Sequence, residues 1–127
     1  MAGILFLCVH NAGRSQMAAG FARAIGGVEV FSGGSEPADV VNSAAVEVMA
    51  EVGIDIAGRV PQRFTDELLA RVDVVVTMGC GDTCPYVPGK RYVDWPLDDP
   101  KGRPVGEVRR IRDEIRGLVE ELVAQLA

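Results

Sequence analysis

Apolar and polar positions divide this chain into segments of two different periods. Residues 4–7 form a continuous apolar run, and residues 73–78 form a second one rich in β-branched side chains. Both predict strands covered on both faces, as in a parallel sheet. Residues 28–32 alternate and predict a short strand, followed by a loop over 33–37; Arg91–Asp94 predicts a last strand. Helical periods lie between them. Residues 16–25 read as a helix stopped by Gly26-Gly27 in the manner of a C-cap. Asn42 or Ser43 caps a second helix, with Val46, Met49 and Ala50 as its apolar face and Val52-Gly53 as its stop. Thr65 is the N-cap of a short helix ending near Arg71. From Val105 to Leu126 one long helix is expected, its buried stripe marked by Val108, Ile111, Ile115, Leu118, Val119, Leu122 and Leu126. Residues 79–89 read as a loop, and 95–100 as irregular because each proline restricts the residue before it. Strands alternating with helices predict an α/β, three-layer fold with a short parallel sheet, in one domain over 1–127.

In such sheets ligands sit outside the carboxyl ends of the strands. Cys8 and the 79–89 loop both follow predicted strand ends, which gathers Cys8, Cys80 and Cys84 on one edge. After Cys8 comes the short run Val9, His10, Asn11, Ala12, Gly13, and then Arg14-Ser15 opening a helix. A strand–loop–helix turn of this kind points backbone N–H groups inward, and the helix N-terminus adds its positive dipole end. The cavity suits a tetrahedral oxyanion held by the 9–15 backbone. Arg14 adds a planar guanidinium able to grip two oxygens at once. At the floor of that positive cavity the thiolate of Cys8 is favoured, and the thiolate is the nucleophile. Ser15 can donate its hydroxyl to the sulfur. His10 falls on the outer curve of the loop by alternation, which argues against its acting as a base.

The stretch from Cys8 to Ser15 resembles the C-x5-R-[ST] loop of the low-molecular-weight protein tyrosine phosphatase superfamily. Its continuation Arg14-Ser15-Gln16-Met17-Ala18 is similar to the arsenate reductase branch, thioredoxin-coupled type. The resemblance runs over essentially the whole chain. It implies a four-stranded parallel sheet flanked by helices, with Asn11 bracing the loop backbone. It implies attack on arsenate by Cys8, with phosphate and sulfate as competing anions. In that family the aspartate directly before a proline in a mobile loop protonates the departing oxygen, which here is Asp99, with Asp98 the runner-up. A reductase must also supply two electrons, and thiols do so by closing a disulfide. The resemblance gives the second attack to Cys80 and the third to Cys84, with Gly79 and Gly81 allowing movement. It implies no bound cofactor, arsenic detoxification as the role, and an external thiol reductant, thioredoxin or mycothiol. Two departures stand out: Gly79 is an extra glycine before Cys80, and only three residues separate Cys80 from Cys84. Ala19 stands where some members have a glutamate that helps to hold potassium, so no such ion is expected.

Rival readings use the same residues differently. A low-molecular-weight phosphatase would use Cys8, Arg14 and Asp99 but leave Cys80 and Cys84 idle, and it usually has more aromatic residues than the 6% found here. A mycothiol- or glutathione-type arsenate transferase would have a small thiol make the second attack. Sugar phosphotransferase carriers of the cellobiose type place a cysteine similarly but lack an arginine like Arg14. Zinc held by Cys8, His10, Cys80 and Cys84 would block the oxyanion loop, so no metal is expected.

Composition narrows the rest. The chain has 127 residues, 48% hydrophobic and 24% charged, which is enough for a core without staples. Its net charge of −5 argues against nucleic acid, which needs clustered Lys and Arg. Arg109, Arg110, Arg112 and Arg116 alternate with Asp113 and Glu114 and read as a solvated helix face. Three cysteines, an odd number, argue against a disulfide scaffold and for metal or redox use. No run is long enough to span a bilayer and no secretory pattern is present, so a cytoplasmic monomer is expected.

Overall fold

A computed structural model of the chain describes residues 1–79 and 88–126. The elements run β1 (Gly3–Cys8), α1 (Arg14–Ile25), β2 (Glu29–Gly34), α2 (Ser43–Ala50), α3 (Asp66–Arg71), β3 (Val74–Thr77), β4 (Arg91–Asp94) and α4 (Val105–Leu126). The strands pair in parallel in the order β2-β1-β3-β4. This is the three-layer α/β architecture, with helices on both faces of a four-stranded sheet.

The apolar run of β1 explains its central place. Ile4, Leu5, Phe6 and Leu7 have no exposed surface. Ile4, Phe6 and Cys8 face one way, into the large core beneath α1, α2 and α4. Leu5 and Leu7 face the other way, onto Leu69, Val72 and Val75 under α3. Phe6 meets Trp95 at 6.0 Å between ring centroids. Burying a side chain of that size contributes about 1.5–3 kcal/mol, so β1 is the strongest single anchor in the sheet.

Three sequence expectations need correction. Gly33-Gly34 belongs to β2, not to the loop after it. A Cβ on Gly34 would stand 2.6 Å from the Val9 carbonyl, and one on Gly33 would stand 3.0 Å from the Phe64 amide. Here glycine marks close backbone approach inside a strand rather than a turn. The buried face of α2 is Ala45, Val48 and Met49; Ala50 is exposed and Val46 only partly covered. Apolar residues surround that helix, so their pattern leaves its rotation open. Asn42 is its cap, its Oδ1 accepting from the Ala45 amide at 3.1 Å.

The third correction concerns α4. Its bounds are those expected, and Val108, Ile111, Ile115, Val119 and Leu122 are buried with Val123, while Leu118 and Leu126 are only partly buried. Arg112, expected on a solvated face, is 6% exposed. Its guanidinium donates to the Val48 carbonyl and to Glu51, each at 2.8 Å, so α4 carries a buried cation clamped to the end of α2. Arg109, Arg110 and Arg116 do lie at the surface, each beside a carboxylate. Among the described residues no helix is long and apolar enough to cross a membrane. Most of the expected 79–89 loop, including Cys80, Gly81 and Cys84, lies outside the described residues.

Candidate active site

The site begins where β1 ends. The carbonyls of Val9, His10 and Ala12 accept from the amides of Glu36, Ala38 and Asn42 at 2.8–3.0 Å. The Asn11 carbonyl accepts from Gln16 Nε2, and the Gly13 carbonyl takes the first bond of α1 from Met17. In a trans peptide the next residue's N–H points away from the carbonyl. With five successive carbonyls engaged outside the loop, the amides of His10, Asn11, Ala12, Gly13 and Arg14 turn to its inner side. That is a ring of donors at the mouth of a helix N-terminus, suited to an anion.

Asn11 holds the ring in shape. It has φ 49°, a left-handed value that asparagine tolerates better than most residues. Its Nδ2 donates to Ser15 Oγ at 2.7 Å, and its Oδ1 accepts from Gln16 Nε2 and from the Gln62 amide. The bracing role read for Asn11 thus has definite partners. Gln16 and Gln62 were not singled out from sequence. Gln62 lies 51 positions away and nothing local marks it.

Cys8 is 2% exposed, and its Sγ lies 2.9 Å from Ser15 Oγ. Because the Asn11 amide already donates to that oxygen, the Ser15 hydroxyl proton is free to point at the sulfur. A sulfur that accepts this bond is stabilised as thiolate and as leaving group. Arg14 is 5% exposed. Its Nη1 donates to the Leu97 carbonyl at 3.3 Å, and its Nη2 lies 3.7 Å from Asp99 Oδ2. A guanidinium has five N–H donors, more than these contacts use. Gly79 has φ 79°, and a Cβ there would collide with Arg14 Nη1. Its glycine identity therefore admits the guanidinium, over and above the mobility expected of it.

Asp99 and Asp98 separate cleanly. Asp99 faces Arg14, its Oδ1 accepts from the Lys101 amide, and its carbonyl accepts from Arg103 Nε. Pro100 packs on the loop so closely that a Cβ on Gly13 would stand 2.7 Å from its Cγ. Asp98 instead turns outward to Arg110 at 3.0 Å. A cavity of about 530 Å³ opens above Cys8, bounded by His10, Arg14 and Asp99, by the apolar Val40 and Val41, and by Lys101 and Arg103. His10 is one of the residues bordering this cavity, and its ring is bonded to the outside of the loop, Nδ1 standing 3.0 Å from the Glu36 carbonyl oxygen. Cys80 and Cys84 lie outside the described residues, and with them the zinc arrangement that would use them; among the described residues no group of three or more metal-binding side chains is present.

The arrangement supports nucleophilic attack on a tetrahedral oxyanion, with a nucleophile, an anion cradle and an acid on one edge of the sheet. Residues 3–127 match the family described as low molecular weight phosphotyrosine protein phosphatase. The chain is 43% identical over 123 residues to arsenate reductase 2 of Staphylococcus epidermidis, covering 92% of each. Its fold superposes with a TM-score of 0.86, at 41% identity, on a thioredoxin-dependent arsenate reductase of Corynebacterium glutamicum, covering 98% of this chain and 61% of that longer one. It superposes with a TM-score of 0.87, at 34% identity, on an arsenate reductase in its phosphate-binding state, covering both chains fully.

Proposed function

The chain belongs to the low molecular weight phosphotyrosine protein phosphatase family, and from that premise we propose that it is a thiol-dependent arsenate reductase. Arsenate enters the loop and is held by the inward amides and Arg14. Cys8 attacks arsenic, and Asp99 protonates the departing oxygen, which leaves as water. A second thiol, from Cys80, attacks Cys8 Sγ. The S–S bond forms as the S–As bond breaks, and its electron pair reduces arsenic from As(V) to As(III), released as arsenite. Cys84 then attacks Cys80, freeing Cys8 and leaving a Cys80–Cys84 disulfide for thioredoxin to reduce. Such reductants are kept reduced in the cytoplasm, where we place the enzyme.

The observation that carries this reading is the shielded Cys8 nucleophile, in a chain this similar to arsenate reductases over nearly its whole length and carrying two further cysteines. A phosphatase needs only the first of the three. The deciding experiment is peptide mapping of alkylated protein after one arsenate turnover without reductant. A Cys80–Cys84 disulfide is expected in the wild type, and a trapped Cys8–Cys80 disulfide in Cys84→Ser. Free Cys80 and Cys84 after arsenite has been released would overturn the relay.

A further inference from the structure

The loop that carries Asp99 is tied to α4 by two arginines, and only one of them holds Asp99 itself. The Asp99 side chain is half-exposed, so packing alone does not fix it. The Lys101 amide donates to its Oδ1 at 3.0 Å, but that bond lies inside the loop and travels with it. Arg103 reaches further. Its Nε donates to the Asp99 carbonyl at 2.9 Å, and its Nη1 lies 2.9 Å from Glu107 Oε2 in the first turn of α4. Val108, the next residue, is fully buried with Ile111 in the large core. One planar guanidinium thus spans from the main chain of Asp99 to a helix anchored in that core. The second arginine, Arg110, holds the neighbouring Asp98 carboxylate instead.

We propose that Arg103, braced by Glu107, is a positioning residue for the Asp99 acid; this rests on the assignment of Asp99 as the acid under the proposed function. In that step the Cys8 sulfur bonds to arsenic, or to phosphorus in an aryl phosphate. The bond to the departing oxygen breaks as the Asp99 proton moves onto that oxygen, leaving Asp99 as carboxylate. Transfer needs the carboxyl within hydrogen-bond reach of the oxygen, roughly 2.6–3.2 Å. A supporting shell that leaves such a group about 1 Å too loose forfeits much of the rate. Arginine suits the task, because Nε and Nη1 are donors in one rigid plane and both bonds form at once. A lysine keeps the charge but has a single nitrogen, which cannot hold the Asp99 carbonyl along one edge and Glu107 along another. An exposed ion pair adds little to stability, so loss of the strut shows in the acid step and not in folding.

Aryl phosphates with different leaving groups separate the placing of the acid from everything else. The para-nitrophenolate departs readily without a proton, whereas plain phenolate needs one. Single-turnover attack by Cys8 is followed on both esters, with melting temperature and inhibition by phosphate measured alongside. Arg103→Lys should slow attack on phenyl phosphate by about tenfold, a fraction of the loss expected when a general acid is removed altogether, and attack on para-nitrophenyl phosphate by less than about twofold. Glu107→Ala should act in the same direction. The two together should slow the phenyl ester no more than Arg103→Lys alone, because they break one strut. Melting temperature and phosphate inhibition should stay at wild-type values. Equal slowing on both esters would reduce Arg103 to a general prop for the site and overturn the role, and wild-type rates on phenyl phosphate in Arg103→Lys would do the same. If Asp99→Asn slows both esters equally, Asp99 is not the acid, and this role falls with that assignment.

Discussion

At the scale of single residues, the site rests on neighbours that look alike in sequence and differ in space. Asp98 and Asp99 are adjacent carboxylates in one loop, yet one pairs with Arg110 on α4 and the other faces Arg14. Asp99→Asn should slow Cys8 attack by roughly 10²–10⁴-fold, the range for a lost general acid, while leaving phosphate binding nearly intact. Asp98→Asn removes only an exposed ion pair and should change the rate by no more than about fivefold. Burst kinetics with an aryl phosphate check both, and a large effect confined to Asp98→Asn would reverse the assignment. Cys8, Arg14, Ser15 and Asn11 were legible in the sequence because their chemistry is local: eight residues fix a strand end, a ring of amides and a helix start. Gln62 was not legible, because it acts across 51 positions.

At the scale of elements, the junction of α2 with α4 is electrostatic as well as apolar. Glu51 sits just past the end of α2 and receives Arg109 at 2.7 Å and Arg112 at 2.8 Å. The hydrogen bond from Arg109, with a further one from Arg112, lowers the Glu51 carboxyl from an ordinary 4.5 to about 2. A carboxyl whose folded value is depressed adds stability that is fully present above its unfolded value and is lost as pH falls toward the folded one. The contribution should therefore be intact above pH 4.5 and disappear as the pH falls toward 2. Denaturation midpoints across that window should fall more steeply for the wild type than for Glu51→Gln, and identical slopes would show that the clamp adds nothing. The ends of α4 were readable because an apolar stripe and preceding prolines bound it. The burial of Arg112 was not, since charges alternating along a helix look the same whether one of them is solvated or tucked against a neighbouring carbonyl.

At the scale of the whole molecule, the sheet order follows from which strands are apolar throughout. β1 and β3, with their continuous runs, take the two inner places; β2 and β4, shorter in apolar character, take the edges. An acidic chain of net charge −5 nevertheless concentrates cationic groups at one end of that sheet, with Arg14 at its floor and Lys101 and Arg103 at its rim. Cys8 hangs from the end of β1, the strand bonded on both sides and covered on both faces. Amide hydrogens in such a strand trade with solvent only when the entire domain opens. Ageing of the enzyme should then be all-or-none: a heated sample holds a shrinking number of fully competent molecules, not a uniform population of weakened ones. Remaining activity and remaining slow-exchanging β1 amides, followed by deuterium uptake through a heat challenge, should decline on one curve.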